Sequence, residues 1–181
     1  MKQNWDFAYT KLIGHEGGFT DDERDPGNAL PDGRKGCTNL GVTQRAWEEY
    51  VGRQVTHDEM RALTPASVKP FYKDRYWDKI KGDDLPHGVD YAVFDTCVNS
   101  GPKRAVTLLQ ECVDANPDGS IGPMTLSAVR SQHSELVIKD YTKRRLAFMQ
   151  SLPAWATFGK GWERRVKEVE EMALKLIPMA V

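Results

Sequence analysis

Apolar residues recur at helical spacing along almost the whole chain. Trp5, Ala8, Tyr9, Leu12 and Ile13 fall at i, i+3, i+4, i+7 and i+8, one face of an amphipathic helix. The pair Gly17-Gly18 predicts its end, because glycine enters the left-handed C-cap conformation at no steric cost. Thr56-His57-Asp58-Glu59 reads as a capping box opening a short helix, and Thr64-Pro65 opens another with proline at the tolerated first position. Val89, Ala92, Val93, Thr96 and Cys97 make a further stripe that stops at Ser100-Gly101-Pro102, and Ala105, Val106, Leu109, Cys112 and Val113 make the next. A long helix carries Val137, Tyr141 and Phe148. A terminal one carries Trp162, Val166, Val169, Met172, Ala173 and Leu176.

Residues 20–43 break this pattern. They are rich in Asp, Gly, Pro and Asn and show no apolar periodicity until Leu40-Gly41-Val42-Thr43. The stretch predicts a long loop with a short hairpin inside it, and loops of that length in compact domains are usually functional or disordered.

Composition changes this picture little. Of 181 residues 40% are apolar and 28% charged, enough apolar material for a core. The net charge of −1 gives no reason to expect a nucleic-acid partner. No apolar run approaches the roughly 18 residues of a membrane span, so no stable membrane insertion is expected. Residues 1–100 carry −4 and residues 101–181 carry +3; the basic second half suits an anionic polymer and equally a plain solvated surface. Cys37, Cys97 and Cys112, odd in number and irregular in spacing, argue against a disulfide framework or a Cys-rich zinc module and for synthesis in a reducing compartment. The N-terminal Met1-Lys2-Gln3-Asn4-Trp5-Asp6 lacks the apolar stretch of a standard signal peptide, so the expected site of synthesis is the cytoplasm.

The candidate chemistry sits around the long loop. Glu16 follows Ile13 by three and Leu12 by four, which would continue the apolar face of the first helix. A partly desolvated carboxyl there has a raised pKa, the property of a general acid near neutrality. Gly17 and Gly18 remove side-chain bulk beside it and open an approach for substrate. A surface cap or an Arg-paired Glu16 fits the same spacing. Among the loop carboxylates Asp25 stands out in Asp25-Pro26-Gly27-Asn28, where proline sets the turn, although an ordinary turn residue also fits. Glycoside cleavage typically pairs an acid with a second carboxylate, and these two residues would make such a pair.

Three motifs in order carry a resemblance. His15-Glu16-Gly17-Gly18-Phe19, Asp25-Pro26-Gly27-Asn28 and Thr38-Asn39-Leu40-Gly41-Val42-Thr43 resemble the N-terminal signature of the family 108 glycoside hydrolases, N-acetylmuramidases of bacteria and phages. Asp95-Thr96-Cys97-Val98-Asn99-Ser100-Gly101-Pro102 is similar to that family's helix ending in Val-Asn-Ser-Gly, and the chain from about Val89 onward resembles its peptidoglycan-binding-like segment. Asn28 stands where the family pattern has a second glycine, and residues 29–36 read as an insert.

The resemblance implies a mainly α, lysozyme-like α+β fold with a small hairpin lobe and a helical lobe flanking a cleft. Residues 1–88 would form the catalytic lobe with its loop 20–43, and residues 89–181 a helical peptidoglycan-binding-like lobe packed with it as one unit. It implies Glu16 as the catalytic acid. Asp25, nine residues on, and Thr38 would complete the Glu–Asp–Thr arrangement of the wider phage-lysozyme group. Gly17, Gly18, Asn39, Asp95 and Asn99 are the expected substrate contacts, Asp95 and Asn99 lying four apart on one helix, where a polar pair at a helix end is the alternative. The implied activity is cleavage of the β-1,4 bond between N-acetylmuramic acid and N-acetylglucosamine, by a phage endolysin that acts on the cell wall. Its partner would be the peptidoglycan glycan strand, it would be a monomer without metal or organic cofactor, and its release would depend on a separate holin-like pore. A lytic transglycosylase and a non-catalytic cell-wall-binding module are the alternatives.

Other signals point elsewhere less well. His15-Glu16-Gly17-Gly18-Phe19 begins like a zinc-protease helix but lacks the second histidine. Asp114 to Gly122 resembles an EF-hand loop, yet Thr125 stands where its bidentate glutamate is needed; a turn at Asp118-Gly119 followed by a helix from Pro123 reads better. Tyr72, Tyr76 and Trp77 at helical spacing read as core more than as sugar platforms, Cys37 and Cys97 as buried inert thiols, and the terminal helix as a docked structural element rather than a membrane-perturbing one.

Overall fold

The computed structural model describes residues 2–14, 17–22 and 26–178. Among them are nine α-helices and one pair of short strands, so the protein is mainly α. The chain divides into two compact units, Tyr9–Asp74 and Met1–Ala8 with Arg75–Val181. The boundary expected after residue 88 is not where the packing divides: Trp77, Ile80 and Leu85, each fully buried, lie in the helical unit.

The smaller unit takes the last residues of α1 (Lys2–Ile13), the long loop, strands β1 (Thr38–Asn39) and β2 (Val42–Thr43), and helices α2 (Gln44–Val51), α3 (His57–Arg61) and α4 (Pro65–Tyr72). The hairpin was legible in the sequence. Thr38 pairs with Thr43 and Asn39 with Val42, and the chain reverses through Leu40 and Gly41, both at positive φ (51° and 73°), the backbone that a two-residue hairpin of matching twist needs. Thr43 then caps α2 by accepting the Ala46 N–H. Thr56 and Glu59 form the expected capping box of α3, and Thr64 caps α4 with Pro65 at its first position. The core of this unit holds Cys37, Val55 and Met60, with Phe19, Trp47 and Leu63 packed against them. Tyr72, buried, donates from its hydroxyl to the Leu40 carbonyl at 2.8 Å and holds the hairpin turn.

One expected boundary is corrected. Helix α1 ends at Ile13, before Gly14, and does not run to Gly17-Gly18. Gly14 already supplies the residue that favours leaving a helix. The reading of Glu16 as a desolvated carboxyl falls on a residue outside the described ones.

The larger unit is built around α5 (Val89–Ser100), in which every residue from Val89 to Cys97 is buried. It is surrounded by α6 (Pro102–Cys112), α8 (Ser134–Gln150), α9 (Trp155–Lys175) and the 3-10 turn Gly82–Asp84, while α7 (Pro123–Arg130) packs on α8. Trp5, Trp77 and Phe94 meet edge to face or tilted at 5.4–5.6 Å between ring centres. Gly88, at φ 83°, starts α5, and a Cβ there would stand 2.2 Å from the Ala173 carbonyl oxygen; only glycine permits this approach of α5 to α9. The turn expected at Asp118-Gly119 is present, with Gly119 at φ 80° and Pro123 opening α7. The terminal helix α9 docks through Gly159, Val166, Val169 and Ala173, as a structural helix does.

Candidate functional site

Glu16 and Asp25 lie outside the described residues, so the site is built from what flanks them. Gly17 and Gly18 are exposed, and a Cβ on either would meet nothing within 4 Å. Two residues on, Thr20 and Thr38 exchange both backbone hydrogen bonds at 2.8 Å, fastening the segment after the glycine pair to β1. Asn28, at the end of the 3-10 turn Pro26–Asn28, is buried beside them. Thr38 Oγ1 donates to Asn28 Oδ1 at 2.8 Å, and Asn28 Nδ2 donates to the Asp22 carbonyl at 3.0 Å. The described parts of the three sequence motifs thus come together within one unit, with Thr38 half-buried at their junction.

The insert at residues 29–36 is an ordered excursion. Ala29 and Lys35 form an antiparallel bridge, Gly33 turns at φ 82°, and Leu30 is buried beneath it. Its anchor is Arg34, whose guanidinium grips Glu48 of α2 with two bonds of 3.0 and 2.9 Å and Asp32 with one of 2.7 Å. Glu48 also accepts from Gln44 Nε2 and the Val55 N–H, each at 3.0 Å. The Arg34 bond above all, helped by Val55 and Gln44, pulls the Glu48 carboxyl down to about 2. Nothing in the local spacing of Arg34 and Glu48 announces this pair; an Arg inside a Gly- and Asp-rich stretch is the only signal the sequence offers.

The remaining expected contacts have other work. Asn39 is buried and its amide donates to the Met60 carbonyl at 2.8 Å, tying β1 to α3. Asp95 is 2% exposed in the other unit, so its reading as a sugar contact is corrected. Arg165 donates to Asp95 Oδ1 at 2.9 and 3.2 Å, and Arg145, itself 2% exposed, sets Nη2 2.7 Å from Oδ2. Burial opposes ionisation of Asp95, yet the two guanidinium groups hold its carboxyl below the usual range. Asn99 is exposed and accepts from the Ser100 hydroxyl at 3.1 Å.

Tyr72 and Trp77 are core residues, as expected, and Tyr76 is half-buried. Cys37 and Cys97 are fully buried; burial raises the Cys37 thiol and pushes that of Cys97 up to about 12, which fits inert thiols. Among the described residues no cluster of three His, Cys, Asp or Glu side chains could hold a metal, and no helix is long and apolar enough to cross a membrane.

Comparison with known proteins places this arrangement. The family model described as glycosyl hydrolase 108 matches residues 9–101, a stretch that contains all three loop motifs and the whole of α5. A solved structure of Brucella abortus SagA is 39% identical, with a TM-score of 0.84 over 97% of this chain and 97% of that one. No curated protein matches. The fold is the mainly α, lysozyme-like α+β class that the sequence resemblance implied. The chain belongs to the glycosyl hydrolase 108 family and is a glycoside hydrolase.

Proposed function

We propose that this glycoside hydrolase is a peptidoglycan N-acetylmuramidase, cleaving the β-1,4 bond between N-acetylmuramic acid and N-acetylglucosamine in the manner of a lytic endolysin. Glu16 protonates the glycosidic oxygen as the bond to the anomeric carbon breaks. Asp25 takes a proton from the water that attacks that carbon, and Thr38 helps to hold the water. The observation that carries this reading is the family match across residues 9–101, a range that takes in Glu16, Asp25 and Thr38. The pairing of Thr20 with Thr38 supports it, because it joins the strand bearing Thr38 to the segment that follows Glu16.

The test is mass spectrometry of the soluble products from purified peptidoglycan. Muropeptides with a reducing N-acetylmuramic acid end are the expected result; 1,6-anhydro ends would replace the hydrolase by a transglycosylase, and intact sacculi with bound protein would leave a wall-binding module. Glu16→Gln should lower the rate roughly 10²–10⁴-fold, the usual contribution of a general acid, with an unchanged far-UV circular dichroism spectrum. A Glu16→Gln enzyme of near-normal rate would remove Glu16 from the mechanism.

A further inference from the structure

The neighbour of Thr38 decides which way its hydroxyl can act. The Asp22 carbonyl, 3.0 Å from the Asn28 amide, can only accept, so the amide turns its nitrogen toward Asp22 and its oxygen toward Thr38. That oxygen also only accepts. A threonine hydroxyl has one proton, and here it is committed to Asn28 at 2.8 Å. What Thr38 Oγ1 offers to any further group is its lone pairs. Asn28 is not free to turn away, since it is 4% exposed and its backbone carbonyl takes the Gly36 N–H at 2.7 Å. A Cβ at position 36 would come within 2.9 Å of that carbonyl, so glycine is what allows the loop to close on Asn28.

We propose that Asn28 is a positioning residue that makes Thr38 a hydrogen-bond acceptor only, and so sets the orientation of the attacking water. The inference rests on the proposed role of Thr38 in hydrolysis. A water has two protons and must direct a lone pair at the anomeric carbon. If one proton goes to Thr38 Oγ1 and the other to the carboxylate of the proposed base Asp25, both lone pairs stay free of donors and one of them is aimed at the carbon. A Thr38 hydroxyl that rotates to donate would engage one of those lone pairs and give the water proton no acceptor there, so the water would turn out of line with the carbon. In the step itself the water oxygen bonds to the anomeric carbon while the carbon–glycosidic oxygen bond breaks. One water proton passes to the carboxylate, and the leaving oxygen receives the proton of Glu16.

The test is a double-mutant cycle read as kcat and KM on soluble, un-cross-linked peptidoglycan strands. Thr38→Val and Asn28→Leu should each lower kcat about tenfold to a hundredfold, the scale of a misplaced reactant, with KM changed much less. The double variant should be no slower than Thr38→Val alone, because Asn28 acts through that hydroxyl. Asn28→Asp keeps an accepting oxygen toward Thr38 and should recover most of the kcat lost in Asn28→Leu. Losses that multiply in the double variant would overturn the inference, as would equal kcat values for Asn28→Leu and Asn28→Asp when both melt as folded proteins. A slow Thr38→Val enzyme beside an unimpaired Asn28→Leu enzyme would overturn this inference and spare the role of Thr38. A Thr38→Val enzyme with the parent kcat would overturn both.

Discussion

Glu48 joins the insert, its own helix and the segment before α3 through one carboxylate, by its bonds to Arg34, Gln44 and the Val55 N–H. Its folded value of about 2 lies below the ordinary 4.5. The stability that this difference provides is therefore present above pH 4.5 and is lost as pH falls from 4.5 toward 2. Arg34 is about a third exposed, so solvent screens the pair and reduces its contribution. Urea unfolding followed by tryptophan fluorescence should show Glu48→Gln less stable than the parent protein at pH 7, with the gap narrowing below pH 4.5 and closing only near pH 2. A gap that stayed constant with pH would show that Glu48 contributes by packing alone. Asp95 teaches the complementary lesson at this scale. Its place four residues before Asn99 on one helix suggested a substrate contact, but arginines 50 and 70 residues away in the chain enclose it.

At the scale of elements, the most legible features were those governed by neighbours in sequence. The capping box at Thr56 and the proline starts of α4 and α7 depend on contacts within three or four residues. The turn between α6 and α7 needed one more participant, which its motif did not reveal. Gln110 is fully buried in α6, and the two protons of its Nε2 are shared among Asp118 Oδ1, the Ser120 carbonyl and Thr125 Oγ1 at 2.9–3.2 Å. Its Oε1 accepts the Gly119 N–H at 2.9 Å. This one amide ties together a segment whose sequence resembles a cation-binding loop. Gln110→Ala leaves several buried polar groups without partners and should cost about 2–3 kcal/mol in urea unfolding. A cost below about 0.5 kcal/mol would mean that the turn holds itself.

At the scale of the whole molecule, the division into units follows burial rather than motif order. Residues 75–88 carry no signature beyond scattered aromatics, yet Trp77, Ile80 and Leu85 commit them to the core around α5. Each unit also holds a buried thiol, Cys37 in one and Cys97 in the other. At pH 8 neither should react with iodoacetamide in native protein, and each should become labelled only at urea concentrations that unfold the unit burying it, as read by peptide mass spectrometry. Prompt native labelling of Cys97 would contradict the closed packing around α5.

The sequence by itself determined the helices, their caps, the hairpin and the family, because each rests on local spacing or on an ordered set of short motifs. Hydrophobic periodicity reports which face of a helix is apolar, and caps and turns report where the chain changes direction. Tertiary structure alone decided that α5 is buried from Val89 to Cys97 and that Asp95 and Asn39 serve the framework. It alone set Arg34 on Glu48 and turned the Asn28 amide toward Thr38. Those outcomes depend on side chains brought together from distant parts of the chain, where burial, charge pairing and the direction of a hydrogen bond are properties of the assembled neighbourhood.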